Sequence, residues 1–165
     1  SPMAREMYDR ITRGWGGCLY YELPQKNGHN GDCCKQWWMN HGSAAAWIKF
    51  LDDDDWLCHT AVKTMMAHVT PTTSVVLCGM LVTHVTGDGT VRHSRVMHPA
   101  LAVGSCGHGS AMVKTSSVRG WKYPPEPNND IAMLEYAACH GDVVCVDHPL
   151  YWYNGWRDNS RRHYA

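Results

Sequence analysis

One long apolar stretch, Thr73–Val85, constrains the fold more than any other feature of the sequence. It is rich in β-branched residues and is continuous enough to be a strand buried on both faces. The next residues, Thr86–Gly89, read Thr-Gly-Asp-Gly, a sequence typical of a tight turn, and Thr90–Met97 follows as a returning strand. We therefore expect a sheet in the second half of the chain.

Helical spacing predominates before Pro71. Apolar residues at every fourth position predict one helical face: Leu57, Ala61, Met65 and Val69. Ser and Asp are favoured N-caps, so helices are also predicted to begin near Ser1 and Asp32, and after Ser43 over 44–51. One late helix is predicted from Ile131 to His140, with Asn129 or Asp130 as its N-cap.

This order of elements favours an α+β fold, with N-terminal helices packed on a mostly antiparallel C-terminal sheet. The chain of 165 residues suits a single domain over 1–165. We expect a helical part over about 1–70, a sheet-rich part over about 71–156 and a polar tail over 157–165.

Charge balance excludes several classes of partner. The chain has 15 basic and 15 acidic side chains, so it lacks the electrostatic signature of a nucleic-acid-binding protein. No polybasic segment or long apolar span indicates a membrane protein. A small-molecule or peptide substrate is the expected partner, and the oligomeric state is open.

Cysteine and histidine are unusually frequent, with 8 and 11 residues. Residues 1–17 contain no apolar segment of a secretory signal, which favours a cytoplasmic chain with reduced thiols. Paired cysteines would instead indicate a secreted protein. The skewed composition, with 8 Trp and 1 Phe, also leaves open an artificial origin.

The first candidate site is a cysteine at a helix start. If Asp32 caps a helix, Cys33 lies in the first turn, where unpaired N–H groups and the helix dipole stabilise a thiolate. Cys34 is the near alternative, and both could instead be core thiols or half-cystines. The position of Cys33 predicts a nucleophile.

A nucleophilic cysteine needs a base, and His148 is the preferred candidate. It follows the predicted strand 143–146, with Asp147 beside it as the orienting carboxylate. His84 is the rival base and Asp142 the rival carboxylate. The set predicts a hydrolase that attacks an amide or related acyl bond without a cofactor.

The alternative is a binding module without catalytic activity, held together by disulfides or zinc. Cys139, Cys145 and His148 are dense enough to suggest a zinc site, with further ligands from Cys106 and His108. Such a module would bind a carbohydrate or peptide through exposed aromatic side chains drawn from Trp37, Trp38, Trp121, Trp152, Trp156, Tyr151 and Tyr153.

Overall fold

A computed structural model describes residues 5–6, 9–10, 32–41, 45–52, 54–85, 90–123 and 129–154. The helices are α1 (Asp32–His41), α2 (Ala61–Met66), α3 (Thr115–Val118) and α4 (Asn129–Ala138). The strands are β1 (Trp47–Lys49), β2 (Trp56–Leu57), β3 (Thr73–Val85), β4 (Val91–Met97), β5 (Ala111–Lys114) and β6 (Asp142–Asn154). A short 3₁₀ turn, His108–Ser110, precedes β5.

These strands form one mixed sheet with β3 at its centre. The order is β1-β5-β3-β6-β2, and β4 pairs with β3 off this path. On one side, β3 runs parallel to β6 from Thr73 to Thr83. On the other side it pairs antiparallel with β5 in its first half and with β4 in its second half. Because β3 has neighbours on both sides, its backbone is paired over most of its length.

Side-chain alternation along β3 builds a core on each face of the sheet. Val75 and Leu77 pack in one cluster with residues of α1 and α4. Val76 and Cys78 pack in the other with Ala61 and Met65 of α2. Burial on both faces explains why the β3 sequence is apolar at nearly every position.

The expected arrangement of N-terminal helices on a mostly antiparallel C-terminal sheet is wrong. The molecule is mostly sheet, and the sheet is curled and mixed. Residues 47–49, expected within a helix, form β1 because Ile48 is buried opposite Val113 of β5. Packing of Trp and Ile on a pleated surface overrides the weak helical signal there.

Other predicted elements are confirmed with small changes of boundary. The strands β3 and β4 and the helices α1 and α4 form where the sequence predicts them. Ala61 and Met65 are buried in α2, but Leu57 belongs to β2 instead of the same helix. The predicted turn at 86–89 and the tail at 157–165 lie outside the described residues.

No helix within the described ranges is both long and apolar enough to cross a membrane.

Candidate functional site

A buried histidine, His108, lies in the loop that leads into β5. Its side chain is 3% exposed. The hydroxyl of Ser110 accepts a hydrogen bond from the Gly107 amide at 3.0 Å and donates one to the Gly107 carbonyl at 3.1 Å. These bonds close the turn, so the loop holds the imidazole in a defined position.

Glycines on either side of His108 allow close packing of the loop. A Cβ atom at Gly109 would overlap the Tyr151 ring, and one at Gly107 would lie 2.9 Å from Asp130 Oδ2. Such approaches exclude any larger side chain at these positions without rearrangement. The glycines therefore bring His108 close to both α4 and β6.

Both ring nitrogens of His108 face polar groups. Nε2 lies 2.6 Å from the Tyr123 hydroxyl, and Nδ1 lies 3.8 Å from Asp130 Oδ2. In the tautomer that suits both neighbours, Tyr123 donates to Nε2 and the Nδ1 proton faces the carboxylate. Phe50 packs its ring against the imidazole at a centroid distance of 5.6 Å.

Burial lowers the pKa of His108 to about 3, and the charges of Lys35 and Lys49 act in the same direction. The charge of Asp52 opposes them. The imidazole is therefore neutral near physiological pH. A neutral imidazole can accept a proton, but a pKa this low makes it a weak base, so its use as a general base requires a negative charge beside the imidazolium.

The helix α1 lies against the segment that carries Tyr123. Gln36 Oε1 accepts a hydrogen bond from the Tyr123 amide at 3.1 Å, and Asn40 Oδ1 accepts one from the Gly120 amide at 3.2 Å. Lys35 forms an ion pair with Asp52 at 2.9 Å. Gln36 in the middle of α1 and Asn40 near its C-terminal end thus hold the segment that carries Tyr123, whose hydroxyl contacts His108.

The predicted nucleophile lies near the N-terminus of α1. Cys33 is the second residue of the helix, one turn before Gln36. Cys34 is exposed. The side chains of Asp32 and Cys33 lie outside the described part of the structure.

The predicted base and its carboxylate lie on β6. His148 is exposed, and its Nδ1 lies 2.7 Å from the Asp147 carbonyl oxygen. The Asp147 carboxylate contacts His98 Nδ1 at 2.6 Å. Asp142, the rival carboxylate, accepts a hydrogen bond from the Thr72 hydroxyl at 2.6 Å. The assignment of Cys33, His148 and Asp147 as a catalytic set stays a prediction.

The rival base, His84, lies near the end of β3, opposite His93 of β4. It therefore belongs to the hairpin, while His108 belongs to the loop beside α1 and α4.

The zinc site also stays a prediction. Cys139 and Cys145 are exposed thiols. Over the described residues, no group of three or more His, Cys, Asp and Glu side chains is close enough to hold a metal ion. The structure shows these cysteines as free thiols: Cys34, Cys58, Cys78, Cys106, Cys139 and Cys145.

An aromatic pair is exposed where β2 meets β6. Trp56 and Trp152 are cross-strand partners with rings edge-on at 6.4 Å. They are 55% and 50% exposed. If the protein is a binding module, this pair is the best candidate among the described residues for contact with a carbohydrate or peptide.

A second polar group supports the His108 loop from the opposite side. Lys49 Nζ donates to the Gly109 carbonyl and stands 5.2 Å from the centre of the Tyr151 ring. Tyr151 donates its hydroxyl proton to Asp55, which also accepts the Asn154 amide at 2.7 Å. Burial lowers the pKa of Lys49 to about 8. These contacts fix Tyr151 against the loop.

In the sequence, His108 is a candidate only as a further ligand for zinc. The sequence feature that points to His108 is the pair of glycines at 107 and 109, which indicates close packing on both sides of its side chain. The prediction that His148 follows the end of a strand is wrong, because it lies inside β6, where it is exposed and lacks the enclosure that His108 has.

Comparison with known proteins gives no match to a family model and no match to a curated protein.

Proposed function

We propose that the protein is a hydrolase that attacks an amide or related acyl bond with a Cys–His pair. Cys33 is the nucleophile, with Cys34 the near alternative, and His108 is the base in place of His148. One observation carries the proposal: the Tyr123 amide donates to Gln36 of α1, and the Tyr123 hydroxyl donates to the buried imidazole of His108. Asp130 faces the other nitrogen of the same ring.

The proposed steps balance protons at His108. The Cys33 thiol gives its proton to Tyr123, which passes its own proton to His108 Nε2, and the thiolate attacks the carbonyl carbon. His108 then protonates the leaving amine, and a thioester remains on Cys33. Water gives a proton to His108 and cleaves the thioester. The acid leaves, and the proton on His108 restores the thiol.

Two features around the proposed Cys33–His108 pair favour these steps. Asp130 would stabilise the imidazolium that forms at His108. Backbone N–H groups in the first turn of a helix lack intrahelical partners and can bind a developing oxyanion. The first turn of α1 supplies such groups beside Cys33.

The test is turnover of p-nitrophenyl acetate, followed by release of nitrophenol. We expect Cys33→Ala to abolish turnover and His108→Gln to reduce it by about 100-fold or more, since general-base catalysis contributes about 100- to 10,000-fold. His148→Gln and His140→Gln, which replace exposed histidines, are the matched controls and should keep the activity.

Circular dichroism of each variant checks that it is folded. Turnover that survives in both Cys33→Ala and Cys34→Ala contradicts the proposed class. Loss of turnover in His148→Gln, with His108→Gln active, would keep the class and return the base to His148.

A further inference from the structure

A cleft of about 290 Å³ opens beside His108, and three neighbouring strands build its floor. The floor consists of two rows of cross-strand partners: Met97, Met80 and Tyr151 in the first row, and Arg95, Val82 and Tyr153 in the second. Apart from Arg95 and the two tyrosine hydroxyls, this floor is apolar. It suits an apolar group lying flat across the strands.

The wall that faces the strand floor marks the end of the cleft where catalysis is proposed. Gly109 packs directly on the Tyr151 ring, and His108 and Asp130 line the same cleft. A carbonyl group that is attacked near His108 therefore lies above the Tyr151 end of the first row.

Arg95 defines the other end. It lies on β4, two strands from β6 and therefore roughly 10 Å away across the sheet. Arg95 is exposed, and none of the ion pairs between described residues involves its guanidinium. Asp52, which also lines the cleft, is already paired with Lys35. Arg95 is thus a cation at the cleft that the described carboxylates leave uncompensated.

We propose that the cleft takes an N-acyl amino acid, or a peptide end of the same chemistry, with its apolar side chain on the strand floor and its carboxylate on Arg95. This inference rests on the proposed function, because the acyl carbonyl must lie at the His108 end. Only the amide nitrogen and the α-carbon separate the scissile carbonyl from the carboxylate, so the long stem of Arg95 covers the rest of the distance along the apolar floor. A guanidinium binds a carboxylate through paired N–H groups, which fixes the orientation of the substrate.

Binding is tested without catalysis, in the Cys33→Ala/Cys34→Ala double variant. The probes are N-acetyl-phenylalanine and its C-terminal amide, and calorimetry measures the dissociation constant of each. We expect the carboxylate to bind at least about tenfold more tightly than the amide, since a hydrogen bond to a charged group is worth about a factor of ten or more. Arg95→Gln should remove this difference, whereas the exposed control Arg119→Gln should keep it.

Equal binding of the two probes, or loss of the difference in Arg119→Gln as well, would overturn the assignment of Arg95. A second variant, Val82→Asp, places a negative charge in the middle of the floor. It should weaken the binding of N-acetyl-phenylalanine. Unchanged binding in folded Val82→Asp would show that the probe lies elsewhere. Because no step requires turnover, the cleft assignment can fail while hydrolysis by Cys33 stands, and the reverse.

Discussion

At the scale of single residues, burial decides what His108 can do. The unfolded chain presents an ordinary imidazole to water, whereas the folded protein encloses the ring and lowers its pKa to about 3. Between these two values the unfolded chain binds a proton that the folded protein does not. Stability contributed by neutral His108 is therefore present above the unfolded pKa of 6.5 and is lost as pH falls towards 3.

This shift predicts acid sensitivity that depends on one side chain. Between about pH 7 and about pH 4.5 the native protein should lose about 2–3 kcal/mol of unfolding free energy through His108. Urea unfolding at the two pH values measures the loss. His108→Gln should show a correspondingly smaller loss, while His140→Gln should behave like the native protein. An equal loss in all three proteins would mean that His108 is not enclosed.

At the scale of elements, burial pattern explains which predictions succeed. The strand β3 is buried on both faces over 73–80, and its sequence is apolar without interruption over 75–82. The helix α4 spans Asn129–Ala138, which lies within about two residues of the predicted bounds at each end. The strand β1 has only three residues, and its conformation depends on pairing with β5, which no local pattern reveals.

The helix α2 provides a matched pair of adjacent residues. Met65 is fully buried between α2 and the sheet, and Met66 is 40% exposed. Met65→Ala should lower the free energy of unfolding by about 2–5 kcal/mol, because it removes buried apolar contacts and leaves a cavity. Met66→Ala should change it by less than about 0.5 kcal/mol. Chemical denaturation of both variants measures the difference, and similar losses would contradict the packing of α2 on this face.

At the scale of the whole molecule, the proposed site joins segments that are far apart in sequence. Cys33 comes from α1, His108 from the loop before β5 and Asp130 from the start of α4. The sequence indicates a cysteine at a helix start, and it indicates α4. It does not indicate that a glycine-flanked histidine and the first turn of α4 meet, because that contact depends on tertiary packing. The parallel pairing of β3 with β6 also depends on tertiary packing, so the sequence does not indicate it.

The central claim, that His108 activates a cysteine at the start of α1, is tested most directly by alkylation. A time course with iodoacetamide at neutral pH, followed by peptide mass spectrometry, gives the rate at each thiol. The experiment uses a Cys34→Ser variant, so that modification of Cys33 is unambiguous. The exposed Cys139 serves as the internal reference.

We predict that Cys33 reacts at least about tenfold faster than Cys139. This advantage should disappear in His108→Gln and persist in His148→Gln. A rate at Cys33 no greater than that at Cys139, or an advantage that survives in folded His108→Gln, would contradict the account.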